Sequence, residues 1–124
     1  MLPYERFDAW HSCHALTILI YRVTRAWPRE ELHGLVSQAR RAAFSAAANI
    51  CEGSARRGPR ELRRFLDIAL GSLSELAYIV RLASDLGLLT PFEYAELENL
   101  RSRAGKQVWG LYRSARDAPR TPSQ

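Results

Sequence analysis

Between Gln38 and Glu75 the chain reads QARRAAFSAAANICEGSARRGPRELRRFLDIALGSLSE, and this stretch restricts the fold more than any other. Ala39, Ala42, Ala43, Ala46 and Ile50 recur at helical spacing. Alanines in such a row let a neighbouring helix axis come in toward the ~8 Å end of the usual range. The pattern breaks at Gly53-Ser54 and restarts at Gly58-Pro59, since proline is accommodated in a first helical turn. Leu62, Phe65, Leu66, Ala69, Leu73, Leu76, Val80 and Ala83 then give a clean i, i+3, i+4 series. A helical hairpin with an arginine-rich elbow is the expected result.

Three more segments complete the pattern. A first helix is predicted from Asp8, read as its N-cap, to about Ala26, with Trp27-Pro28 ending it. Its apolar positions form two stripes, Phe7, Trp10, His14, Thr17, Tyr21 and Ala9, Cys13, Leu16, Ile20, Val23, Trp27, which is wider burial than one partner requires. The second helix is expected to open near Pro28, with Glu30 and Glu31 favouring its dipole and Gly34 delaying its regular turns. The third runs from Pro59 to Leu86-Gly87, a span of roughly 40 Å at ~1.5 Å per residue. The fourth opens on Thr90-Pro91-Phe92-Glu93, a capping box, and carries Leu97, Leu100, Ala104, Val108, Leu111 and Ala115 as its seam. It fades at Asp117. No strand-like alternation of any length occurs. The expectation is an all-α, antiparallel up-down-up-down four-helix bundle over residues 1–117, with a Pro- and Ser-rich disordered tail over 118–124.

Composition narrows the function classes. A chain of 124 residues suits one domain and buries enough core to need neither disulfide nor metal. The longest apolar run, Ala15 to Tyr21, is far below the ~18 residues needed to span a bilayer. The N-terminus lacks the apolar stretch of a signal peptide, so a cytoplasmic location is expected, with no membrane contact. Cys13 and Cys51 fall on apolar helix faces and are read as small core residues. The net charge is +5, and Lys106 is the one lysine among 18 basic residues. Arginine forks phosphate and stacks on bases; a GC-rich coding sequence produces the same bias. Clustering therefore carries more weight than the total.

The cluster is Arg56, Arg57, Arg60, Arg63 and Arg64, with Arg40 and Arg41 on the preceding helix. Two readings fit: a surface that holds RNA or DNA phosphates, or a solvated helix end paired to acids. No aromatic residue interleaves this stretch, so backbone contact without base readout is expected. Asn49, Glu52 and Gly53 are read as a structural clamp, Glu52 pairing with Arg56 or Arg57 because a carboxylate near a helix C-terminus needs a partner. Gly71, Ser72 and Glu75 interrupt the third helix, Gly71 being expected to serve close approach to the alanine face. Glu52 has no neighbouring histidine or nucleophile, and Ser45 and Ser72 lack a triad, so no catalytic residue and no enzyme are read. His11, Cys13 and His14 fall short of a zinc set; no metal or cofactor is expected. Trp109 and Tyr112 widen the apolar stripe of the fourth helix and are read as a subunit interface, against a thick monomer core. A scaffold that docks a protein partner without touching nucleic acid is the alternative function.

Trp10, Tyr21, Thr24, Trp27-Pro28, Leu35, Gln38, Arg41, Ser45, Asn49-Ile50-Cys51-Glu52-Gly53, Arg57, Phe65, Leu66, Ala69, Gly71-Ser72-Leu73 and Glu75-Leu76 resemble the four-helix-bundle family of ribosomal-RNA intervening-sequence proteins. The resemblance covers about Phe7 to Asp117. It implies a ring of five subunits and a family with no established enzymatic activity. It also implies kinship with the accessory variability determinant of diversity-generating retroelements, a basic pentamer that binds nucleic acid and a reverse transcriptase. Two positions depart from the pattern. Cys51 replaces an alanine, and Leu70 stands where an arginine often precedes the glycine, which removes one positive charge from the transferred surface.

Overall fold

The computed structural model describes residues 1–116, and among them every regular element is helical. The four main helices are α1 (Asp8–Thr24), α2 (Ser37–Ser54), α3 (Gly58–Asp85) and α4 (Pro91–Arg116). They pack in cyclic order, α1 on α2, α2 on α3, α3 on α4 and α4 back on α1. Leu16, Ile20, Ile50, Leu66, Leu76, Val80, Leu97 and Val108 fill the shared core. The tail expected over 118–124 lies outside the described residues.

The alanine row does what its spacing predicts. Ala39, Ala42, Ala43, Ala46 and Ala47 are all buried. The backbones come close enough that Thr17 Oγ1 of α1 reaches the Ala43 carbonyl of α2 at 3.1 Å while also lying 2.8 Å from the Cys13 carbonyl of its own helix. Of the two stripes on α1, Ala9, Cys13, Leu16, Ile20 and Val23, with Trp27 beyond the helix end, form the buried one. Tyr21 on the other remains exposed, as does His14, which stacks on Trp10 with centroids 4.8 Å apart.

Cap chemistry sets three of the helix ends. Thr90 Oγ1 accepts from the Glu93 amide at 3.1 Å, and the Glu93 carboxylate accepts from the Thr90 amide at 2.8 Å, the reciprocal bonding of a capping box. At the end of α3, Gly87 takes φ of 77°. Its amide bonds the Ser84 carbonyl, and the Leu88 amide bonds that of Ala83, which is a Schellman closure. Gly58, with φ of 81°, turns the chain immediately before Pro59.

Local detail differs from expectation in five places. Phe7, not Asp8, is the cap of α1, and it makes no side-chain cap bond; Asp8 is the first helical residue, where a carboxylate still favours the dipole. The helix ends at Thr24 rather than Ala26. Regular α-helix does not begin near Pro28: a 3-10 turn (Arg29–Glu31) and a π turn (Leu32–Val36) come first. Gly34 is the cause, with φ of −109° and ψ of −108°, and Glu31 Oε2 accepts from the Leu35 amide at 3.3 Å to steady the turn. Gly71 does not pack against α2; it is exposed, and a Cβ added there would meet nothing within 4 Å. Ser72 is the buried neighbour. Finally, Cys13 is fully buried, but Cys51 is only half-buried beside Trp10.

Candidate nucleic-acid interface

The elbow between α2 and α3 is three residues long, Ala55 to Arg57. Gly53 makes it tight. A Cβ there would sit 2.9 Å from the Phe65 Cβ and 3.1 Å from Leu62 Cδ1. Gly53 is thus a close-approach glycine inside the last turn of α2, not a left-handed cap. The approach puts the Phe65 ring beneath two arginines. Arg56 Cζ lies 5.4 Å from its centroid and Arg64 Cζ 4.4 Å, distances at which a ring attracts a cation.

Each of those two arginines also holds a nearby carboxylate, Arg56 of the elbow that of Glu52 on α2 and Arg64 that of Glu61 on α3. Arg56 Nη2 donates to Glu52 at 3.4 Å, and Arg64 donates to both oxygens of Glu61 at 3.2 and 3.4 Å. Both pairs are exposed, a setting in which ion pairs contribute little. The Arg64 hydrogen bond holds the Glu61 carboxyl below its usual range, and the charges of Arg64, Arg56 and Arg60 add to the effect. Three guanidiniums thus bear on one acid. Arg57, Arg60 and Arg63 have no carboxylate within ion-pairing distance among the described residues.

Arg60, Arg63 and Arg64 line an open hollow of about 730 Å³ with Glu61 and Asp67, and its sixth lining residue is Tyr112 of α4. Trp109 stacks on Tyr112, with centroids 5.4 Å apart and planes 9° from parallel. An aromatic pair therefore borders the arginines in space although none interleaves them in sequence. The shared hollow sets the end of α4 against the start of α3, a juxtaposition that no local sequence signal announces.

The remaining candidate residues separate from this end. Arg40 is tied to α1: its Nε donates to Thr24 Oγ1 at 3.0 Å, and its Cζ lies 4.6 Å from the Tyr21 centroid. Arg41 lines a groove with Tyr21, Leu32 and Phe44. Arg41 lies thirteen residues before the end of α2 at Ser54, about 20 Å at ~1.5 Å each, so neither Arg40 nor Arg41 belongs to the elbow. Asn49 does not clamp it either. Its amide turns back to the Ser45 carbonyl at 2.8 Å and the Ser45 hydroxyl at 3.1 Å, and Ser72 of α3 donates to that same hydroxyl at 2.8 Å. Ser45, Asn49 and Ser72 thus form a polar link across the α2–α3 seam. Glu75 is exposed on α3, away from the seam.

No helix among the described residues is long and apolar enough to cross a membrane. Residues 5–110 match the family described as 23S rRNA-intervening sequence protein. No curated protein matches the chain.

Proposed function

Since this chain belongs to the 23S rRNA-intervening sequence protein family, we propose that it is a non-enzymatic, self-associating helical protein that contacts the phosphate backbone of RNA or DNA through its elbow. The observation that carries this reading is the set Arg57, Arg60 and Arg63, grouped at one end without carboxylate partners among the described residues. Grouped guanidiniums raise the local concentration of phosphate and fork its oxygens. The reading takes the helices as an antiparallel up-down-up-down bundle, in keeping with their short connections, and the assembly as a ring of five copies in the cytoplasm. A ring repeats a weak basic site and gains avidity from it.

The test is binding to a labelled single-stranded RNA over a salt series. Three phosphate contacts give a slope of log K on log salt near −2. Arg60→Ala, Arg63→Ala, Arg64→Ala in combination should flatten that slope and weaken binding about tenfold or more. Undetectable binding at low salt, or an unaltered slope in the triple variant, defeats the proposal.

The second reading is a scaffold that docks a protein. It is favoured by the groove of Tyr21, Leu32, Arg41 and Phe44, whose apolar members are 42%, 47% and 61% exposed in that order. In the ring reading the same groove receives a neighbouring copy. Phe44→Arg should then dissociate the assembly in sedimentation; an intact assembly together with a lost protein partner supports the scaffold.

A further inference from the structure

The Trp109–Tyr112 pair is not explained by the core. Trp109 is 46% exposed, although an indole is among the largest apolar surfaces a side chain offers. Tyr112, on which it stacks, faces the hollow that holds Arg60 and Arg63. Lys106 precedes Trp109 by three residues and Arg113 follows it by four, so both share its face of α4, and both are exposed. Cations therefore bracket a flat aromatic surface from two helices. Phe65, the other ring at this end, is 5% exposed and already covered by Arg56 and Arg64.

Resting on the phosphate-binding reading above, we propose that the hollow between the start of α3 and the end of α4 is a site for unpaired nucleotides. Arg60 and Arg63 take the phosphates, and a base lies on the Trp109–Tyr112 stack. A base inside a duplex has both faces covered by its neighbours and cannot reach a ring on a helix surface. An unpaired base can, and it extends the two-ring stack by one plane. Stacking of this kind tolerates any sequence, because every base has a π face. The site thus selects strandedness rather than sequence, and it applies alike to an RNA or a DNA single strand. Glu61 does not oppose it strongly, being held by Arg64, and Asp67 is the one other carboxylate that lines the hollow.

The experiment is fluorescence anisotropy at low salt with a labelled oligouridylate, an oligothymidylate and a short RNA duplex, on wild type, Trp109→Ala and Trp109→Phe. Sedimentation of each variant accompanies it. Wild type is expected to bind both single strands at least about tenfold more tightly than the duplex, in line with one stacked base. Trp109→Ala should lose that preference while its duplex affinity stays within about twofold, and Trp109→Phe should retain it. Equal affinity of wild type for single strand and duplex overturns this site but leaves the phosphate-binding reading standing. An unaltered preference in Trp109→Ala overturns it, as does dissociation of the assembly in that variant, which makes the ring a subunit contact. Binding of none of the three probes overturns both proposals together.

Discussion

Gly53 faces Phe65 at a point where any side chain on α2 would strike α3, since an added Cβ would lie 2.9 Å from the Phe65 Cβ. A Gly53→Ala substitution gains ~1 kcal/mol of helix propensity but overpacks a seam that has no slack, at a typical cost of ~1–3 kcal/mol. The net expectation is destabilisation by about 1 kcal/mol, read as a lower urea midpoint at unchanged slope. Because Phe65 carries Arg56 and Arg64, the variant should also weaken nucleic-acid binding.

Gly71→Ala is the opposite case. The site is exposed and the added methyl meets nothing, so only propensity acts and the protein should gain up to ~1 kcal/mol. A urea midpoint that falls would show that Gly71 faces a second copy of the chain.

Thr90→Ala removes the oxygen that accepts from the Glu93 amide. Loss of an N-cap of this kind costs ~1 kcal/mol. Thr90→Ser should restore most of it, and thermal unfolding of the three proteins provides the comparison.

Burial pushes the Cys13 thiol up to about 12, from an ordinary value of 9.0. The folded state therefore keeps its proton where the unfolded state has lost it. Stability from this group is intact below about 9 and declines as pH rises toward 12, by ~1.4 kcal/mol per pH unit. Other groups titrate in that window, so the measurement is the difference between wild type and Cys13→Ala, which should narrow as pH rises. Alkylation under native conditions should label Cys51 and spare Cys13, since Cys51 is only half-buried and Cys13 is fully covered.

The parts of this fold that were legible in the sequence are those where one residue dictates the local geometry. Thr90 with Glu93, Gly87, and Gly58-Pro59 each mark a helix end that the structure has. The start of α2 was legible only in part: Gly34 marks the delay, but π turns have no period of their own and nothing in the sequence shows that the ψ of Gly34 will reach −108°. Gly71 departs from expectation through its register: Ala69, Leu73 and Leu76 define the buried row, and Ser72, not Gly71, borders it. The arginine cluster could be read directly, since its members are contiguous. Tyr112 could not, because its place beside them depends on how α4 folds back on α3. For the same reason the roles of Arg40 and Arg41 could not be read: their distance of about three to four turns from the elbow was legible, but not that Arg40 is tied to α1 and Arg41 lines the groove with Phe44.

Both acids at the elbow precede the arginine they hold by three or four residues, Glu52 before Arg56 and Glu61 before Arg64, and both are open to water. Neither pair ties one helix to another, so parting them leaves the fold as it was. An arriving polyanion need only trade places with a carboxylate, swapping one oxygen ligand for another. Occupancy should accordingly come and go quickly, with glutamates reclaiming their arginines each time the guest departs.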